Sequence, residues 1–261
     1  MGKYGEIQAE FMDERSRILE ALELPEYKHI VLRLIGALAF RTHCPKYGYF
    51  QEALGRVFTD IDFAGYSRQY KDIARFLTEL GYEEDKMVTR LFGDFRLVFH
   101  EEKFGRHIDV FLDKLDFCHV LPLKGRLEVD KPTIPLAELV VEKMQIVQIN
   151  EKDIIDTIML MREHRVGDKD TEMVNGKMIA GLTSDDWGLW RTLTGNLGLT
   201  VSYLDKYPQL TDDDRHVVRE NIKELRSWID AAPKSLKWKS RAVIGEKKKW
   251  YKDVEALEDR G

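Results

Sequence analysis

The chain has 261 residues, 43% of them hydrophobic and 33% charged, with a formal net charge of −5. That length and balance suit a globular protein with one large or two modest domains and an ample core, and they exclude a wholly basic nucleic-acid binder while leaving room for local basic patches. No apolar run approaches the roughly 20 residues needed to cross a bilayer, so no membrane partner is expected. Met1 to Glu6 lack the apolar core of a signal peptide, and Cys44 and Cys118 make no disulfide framework. The chain reads as cytoplasmic.

Residues 6–22 carry Ile7, Phe11, Ile18, Leu19 and Leu22 among many charges, the pattern of an amphipathic helix closed by Leu24-Pro25. A second helix is predicted from Tyr27 to about His43, and its run Ile30–Phe40, apolar nearly all round, should be buried. Gly36 lies inside that run, where it permits a close backbone approach or ends one element and begins another. Turn-forming residues from Pro45 to Gly55 lead to Arg56–Phe63, which reads as a strand. Gly65 and Ser67 then start a helix over Arg68–Leu80, stopped by Gly81. Phe95–His100 and Arg106–Leu112 flank residues 101–105 as the arms of a hairpin. Leu123–Val129 is too short to assign. After Ile134 the spacing is helical throughout: one helix through Leu136, Leu139, Lys143 and Val147, another from Lys152 to Leu160, a charged break at Val166–Asn175, and two or three more between Ser184 and Ala232. The expected class is α+β, with a mixed sheet and flanking helices over 1–130 and an all-α domain over 131–261.

Strand alternation puts Asp60 and Asp62 on one face, opposite Thr59, Ile61 and Phe63. Two carboxylates held at roughly 4 Å repel by about 4 kcal/mol at an effective dielectric near 20. Such a pair persists when a cation lies between the acids or when both fan out into water at a strand edge. Hard oxygen donors at this spacing suit Mg²⁺ or Mn²⁺. Asp109 is a third acid, on one strand face with His107 and Phe111, while Ile108, Val110 and Leu112 take the other. If the two strands are neighbours, three carboxylates converge in the arrangement that holds two divalent ions roughly 3.5–4 Å apart for in-line displacement at phosphorus. Simpler roles stay open for the surrounding residues. Lys143 could be a solvated helix lysine, Asp153 and Asp156 first-turn helix acids, and His107 a hydrogen-bonded strand histidine. His43-Cys44 and Cys118-His119 lack the spacing of a zinc site.

The ordered set formed by Leu34-Ile35-Gly36-Ala37-Leu38, Arg56-x-x-x-Asp60-x-Asp62, Ile108-Asp109-Val110-Phe111, Glu142-Lys143 and Lys152-Asp153-x-x-Asp156 resembles the AbiEii/AbiGii-type nucleotidyltransferases. These are a branch of the DNA polymerase β-like superfamily that includes antiphage and toxin–antitoxin enzymes. The resemblance spans roughly residues 27–162. It implies a nucleotidyltransferase-type sheet and a metal-dependent transfer of a nucleotide from an NTP to an acceptor hydroxyl. Asp60, Asp62 and Asp109 would be the catalytic, metal-binding acids, with Mg²⁺ or Mn²⁺ as cofactor. Gly36, Arg56, Lys143, Asp153 and Asp156 would form the nucleotide side of the site, with Arg56 supporting either the loop or the triphosphate. Two positions depart from the pattern: Ala37 follows Gly36 where many members have serine, and Phe58 stands where the family often has threonine.

Lys234 to Lys252 interleaves Lys237, Lys239, Arg241, Lys247, Lys248 and Lys249 with Trp238, Trp250 and Tyr251. Cations among aromatic rings can grip phosphate and stack bases, or the tryptophans can pack on the domain and leave the lysines in water. The first arrangement makes RNA the acceptor, as for toxin relatives that modify transfer RNA, and those relatives imply an antitoxin protein as a further partner. A small hydroxylated molecule is the alternative acceptor, and a non-catalytic nucleotide- or partner-binding protein is the alternative to an enzyme.

Overall fold

The computed structural model describes residues 3–253. Helix α1 (Lys3–Leu22) buries Phe11, Ile18 and Leu22, as its amphipathic spacing predicts. The apolar stretch after it is not one helix. It divides into strand β1 (Leu32–Ile35) and helix α2 (Gly36–His43). The division falls at Gly36, whose φ of +65° is a conformation that residues with a Cβ avoid. Both elements are buried, so the stretch is apolar on every side and its periodicity cannot separate strand from helix.

Helix α3 (Tyr49–Ala53) leads through an extended segment into strand β2 (Ile61–Gly65), so the regular strand is shorter than the 56–63 pattern predicts, and Asp60 immediately precedes its first paired residue. Helix α4 (Tyr70–Glu79) buries Ile73, Phe76 and Leu77. A two-residue strand β3 (Glu83–Glu84) precedes helix α5 (Lys86–Phe92), which the Asp85 carboxylate caps by accepting from the Met87 and Val88 amides. Strands β4 (Arg96–Glu101) and β5 (Arg106–Leu112) pair antiparallel, as the hairpin spacing predicts. A small ribbon of β6 (Lys114–Asp116) and β7 (Val120–Pro122) follows.

The five-stranded sheet has the order β1-β2-β5-β4-β3. Its central pair, β2 and β5, is parallel, and its other pairings are antiparallel. One face presents Leu34, Ile61, Phe63, Leu97, Phe99, Ile108 and Val110 to a core shared with Phe11 and Ile18 of α1 and Phe76 and Leu77 of α4. The other face presents Asp62, Arg96, His107, Asp109 and Phe111.

Helix α6 (Leu136–Met144) is buried along nearly its whole length, and helix α7 (Glu151–Glu163) starts from an Asn150 cap. The charged break is not featureless: strands β8 (Arg165–Gly167) and β9 (Met173–Asn175) form a short parallel ribbon there, so the second half is mostly rather than wholly helical. Three-residue strands are too short to leave an alternation in the sequence. Helices α8 (Gly176–Asp185), α9 (Trp187–Tyr203), α10 (Asp212–Ala231) and α11 (Leu236–Ile244) complete the chain. Thr211 and Asp214 cap α10 reciprocally.

Residue 131 marks a change of secondary structure, but the hydrophobic core continues across it. The Leu34 amide donates to the Pro132 carbonyl at 3.0 Å, and the Ile134 amide donates to the Leu34 carbonyl at 3.1 Å. These bonds hold the start of α6 against β1 and bring Glu142 and Lys143 to the beginning of α2.

Candidate functional site

The register of β2 and β5 sets the centre of the site. Asp62 lies directly opposite Asp109 in the parallel pair, and Asp60 enters from the segment just before β2. Ile35, the last residue of β1, lies opposite Asp62 on its other side. Asp60, Asp62 and Asp109 are thus gathered on adjacent strands, as the alternation in the two sequences implies.

Their electrostatic states differ. Burial pushes the Asp62 carboxyl well up from its ordinary range, Asp60 and Asp109 push it further by repulsion, and Lys143 partly opposes them. Burial also works against the charged form of Asp109, but His107 and Arg96 outweigh it and hold that carboxyl below its usual range. Arg96 grips Asp109 with a two-pronged fork, Nε to Oδ1 at 2.7 Å and Nη2 to Oδ2 at 2.9 Å. His107 Nε2 stands 3.5 Å from Asp109 Oδ2, and the hydrogen bond to Asp109 raises the imidazole pKa. A carboxyl whose ionised form is favoured by its neighbours is a weak proton acceptor, so general-base work suits Asp109 poorly.

Gly36 forms the floor beside Asp62. A Cβ at Gly36 would fall 2.4 Å from Asp62 Oδ2, so only glycine lets the carboxylate sit this close to the start of α2. The Gly36 amide donates to Glu142 Oε1 at 3.0 Å, linking residues 106 apart in sequence. Burial raises the Glu142 pKa, with Lys143 and that amide opposing the rise. Lys143 Nζ lies 3.1 Å from Asp153 Oδ1 and 3.4 Å from Glu142 Oε1, over the Phe40 ring. Burial works against its charge, but Asp153, Glu142 and Asp156 more than compensate and raise its pKa. Lys143 is therefore a fixed cation near the acids, not a lysine ranging through solvent.

Arg56 and Asp156 are brought together away from solvent. Arg56 Nε lies 3.3 Å from Asp156 Oδ2, and Gln51 Nε2 donates to Asp156 Oδ1 at 2.8 Å. Both side chains are buried, and Arg56 also donates to the Val57 carbonyl. Of the two roles open to Arg56, supporting the loop or touching a triphosphate, this placement serves the loop that delivers Asp60. The 234–252 segment resolves in the same structural direction. Trp238 packs edge-on to Trp190, Trp250 packs edge-on to Trp187, and Trp250 Nε1 donates to Thr192 Oγ1 at 3.1 Å. The tryptophans are engaged with α9, whereas Lys237, Lys239, Lys247 and Lys248 remain exposed.

Asp60 and Asp62 supply the hard oxygen donors that Mg²⁺ or Mn²⁺ prefers, and the missing Cβ at Gly36 leaves room at Asp62. Among the described residues, no three His, Cys, Asp or Glu side chains stand ready-made as a metal cage. At this site Arg96 holds both oxygens of Asp109. The residues fit a divalent ion once that fork is released. His43 and His119 are hydrogen-bonded to Thr133 and Thr192. A hollow of about 580 Å³ lined by Ser67, Arg68, Tyr70, Thr89, Arg90 and Leu91 lies beyond the far end of β2, away from the carboxylates.

Sequence reasoning missed Arg96 and the cap from Glu142 to Gly36. Arg96 had a readable signal, since alternation in Phe95–His100 puts Arg96, Val98 and His100 on one face, across from Asp109. The Glu142 contact had none, because it depends on how α6 docks. No protein-family model, curated protein or solved structure matches this chain.

Proposed function

We propose that the protein is a metal-dependent nucleotidyltransferase that moves a nucleoside monophosphate from an NTP to an acceptor hydroxyl and releases pyrophosphate. The observation that carries this reading is the in-register pair Asp62–Asp109 on parallel strands, with Asp60 beside it and Gly36 leaving space for Asp62. Mg²⁺ or Mn²⁺, when bound by Asp60, Asp62 and Asp109, would neutralise the phosphates and lower the pKa of the attacking hydroxyl. The chain's own part is positioning. Asp60 and Asp62 hold their oxygens at the strand mouth, and Asp153 and Glu142 fix Lys143 as a charge for phosphate. Arg56 and Asp156 brace the loop that carries Asp60.

RNA is the acceptor this reading favours, through the exposed lysines Lys237, Lys239, Lys247 and Lys248. The packed tryptophans leave phosphate contact rather than base stacking as the mode of grip. A non-catalytic binding protein is favoured by one observation, the neutralisation of Asp109 by Arg96. Incubation with each Mg²⁺–NTP and total cellular RNA tests the proposal: label should enter RNA with the wild type and not with Asp62→Ala. Transfer that persists in Asp62→Ala, or that is absent with RNA and a panel of small hydroxylated acceptors alike, overturns it.

A further inference from the structure

Arg96 is built into the same face as the three carboxylates, yet none of the proposed chemistry uses it. Its place opposite Phe111 in the β4–β5 pairing aims the guanidinium along the sheet toward Asp109. The Phe111 ring supports it from one side, with Cζ 5.4 Å from the ring centroid. The fork uses Nε and Nη2, leaving the Nη1 edge for another ligand. The Arg96 side chain is 23% exposed and Asp109 only 8%, so the arginine is the member of the pair that meets incoming solute. A guanidinium cannot lose its charge near neutrality, so a divalent ion at Asp109 would face both competition for the same oxygens and repulsion.

We infer that Arg96 is an exchangeable counter-ion: it holds Asp109 until a divalent ion arrives, yields that carboxylate to the ion, and turns its fork onto a phosphate of the arriving substrate. Arginine suits both partners, because carboxylate and phosphate present the same pair of oxygens to its planar donors. The exchange keeps the charge of the cleft balanced as metal and triphosphate enter together. It also means that metal alone binds poorly and that metal with nucleotide binds well. The inference rests on the three-carboxylate reading above and goes beyond it by assigning a substrate contact to β4.

Mn²⁺ binding followed by electron paramagnetic resonance, with and without a non-hydrolysable NTP analogue, tests this in wild type, Arg96→Gln, Arg96→Lys and Asp62→Asn. With its competitor removed, Arg96→Gln should bind Mn²⁺ alone about tenfold more tightly than wild type, and bind the Mn²⁺–nucleotide complex about tenfold more weakly. Arg96→Lys, which keeps the charge but loses the fork, should fall between them. Thermal unfolding of each variant separates these opposed changes from a folding defect, which would weaken both. Mn²⁺ affinity in Arg96→Gln that equals or falls below wild type overturns the exchange, as does unchanged nucleotide affinity. Saturable Mn²⁺ binding that survives in Asp62→Asn overturns the underlying site instead, which keeps the two failures distinct.

Discussion

The strand side and the helix side of the candidate site handle charge in opposite ways. On the helix side each charge has a direct partner within the protein: Lys143 lies between Glu142 and Asp153, and Arg56 meets Asp156, which Gln51 also contacts. On the strand side, Asp60 and Asp62 share a region in which one arginine and one histidine serve Asp109. Burial first, then repulsion from Asp60 and Asp109, push the Asp62 carboxyl up, and Lys143 only partly opposes them. The helix side is thus complete as folded, and the strand side gains most from an added cation.

The contrast is sharpest under substitution. Removing a partner from the balanced side should cost most. Asp156→Ala leaves the buried Arg56 charge without its carboxylate, at about 3–5 kcal/mol, a fall in melting temperature of about 10 °C measurable by calorimetry. A smaller loss of stability should follow Gly36→Ala. Its left-handed backbone costs roughly 1–2 kcal/mol with a Cβ, and the added methyl would fall 2.4 Å from Asp62 Oδ2 and displace that carboxylate. That variant should remain folded by circular dichroism and lose saturable Mn²⁺ binding.

On the unbalanced side the sign should reverse. A carboxyl whose folded pKa lies above its unfolded value binds more protons folded than unfolded, so it lowers stability as pH rises from about 4 through the folded value. Asp62 is in that position, with burial first and the neighbouring acids next among the causes. Asp62→Asn should therefore be more stable than metal-free wild type in urea at pH 8, with the gap closing toward pH 4. A gap that is absent at pH 8 would mean that the excess charge is relieved by the protein itself. The smallest expected change in stability is at the exposed lysines. Lys247→Ala with Lys248→Ala should shift it by no more than about 0.5 kcal/mol. If RNA is bound there, the same pair should make the salt dependence of RNA affinity shallower by about one to two in log–log slope.

Much of this arrangement was legible before any coordinates. The hairpin of β4 and β5 could be read because its strands are adjacent in sequence and one face is apolar, and the same alternation put Asp109 on the face opposite Ile108 and Val110. Asp60 and Asp62 stood out because strand alternation puts both on one face, where they repel unless a cation or water intervenes. The division of residues 27–43 was legible only as one of two readings of Gly36, since burial on all sides erases periodicity in both strand and helix. The roles of Arg56 and Asp156 were open because the sequence gives residue spacing along an element and not what docks against it. Gln51, which bonds Asp156 across 105 positions, belongs to the same class of contact.

The tryptophan cluster on α9 has a practical corollary. All five tryptophans of the chain lie at or beyond residue 187, and four of them, Trp187, Trp190, Trp238 and Trp250, are joined by ring contacts. Intrinsic emission on excitation at long ultraviolet wavelengths will therefore follow the helical half and be blind to the sheet. Circular dichroism follows both. Overlaid denaturation curves from the two probes will thus show directly whether the shared interior makes the protein melt as one cooperative unit or in two steps.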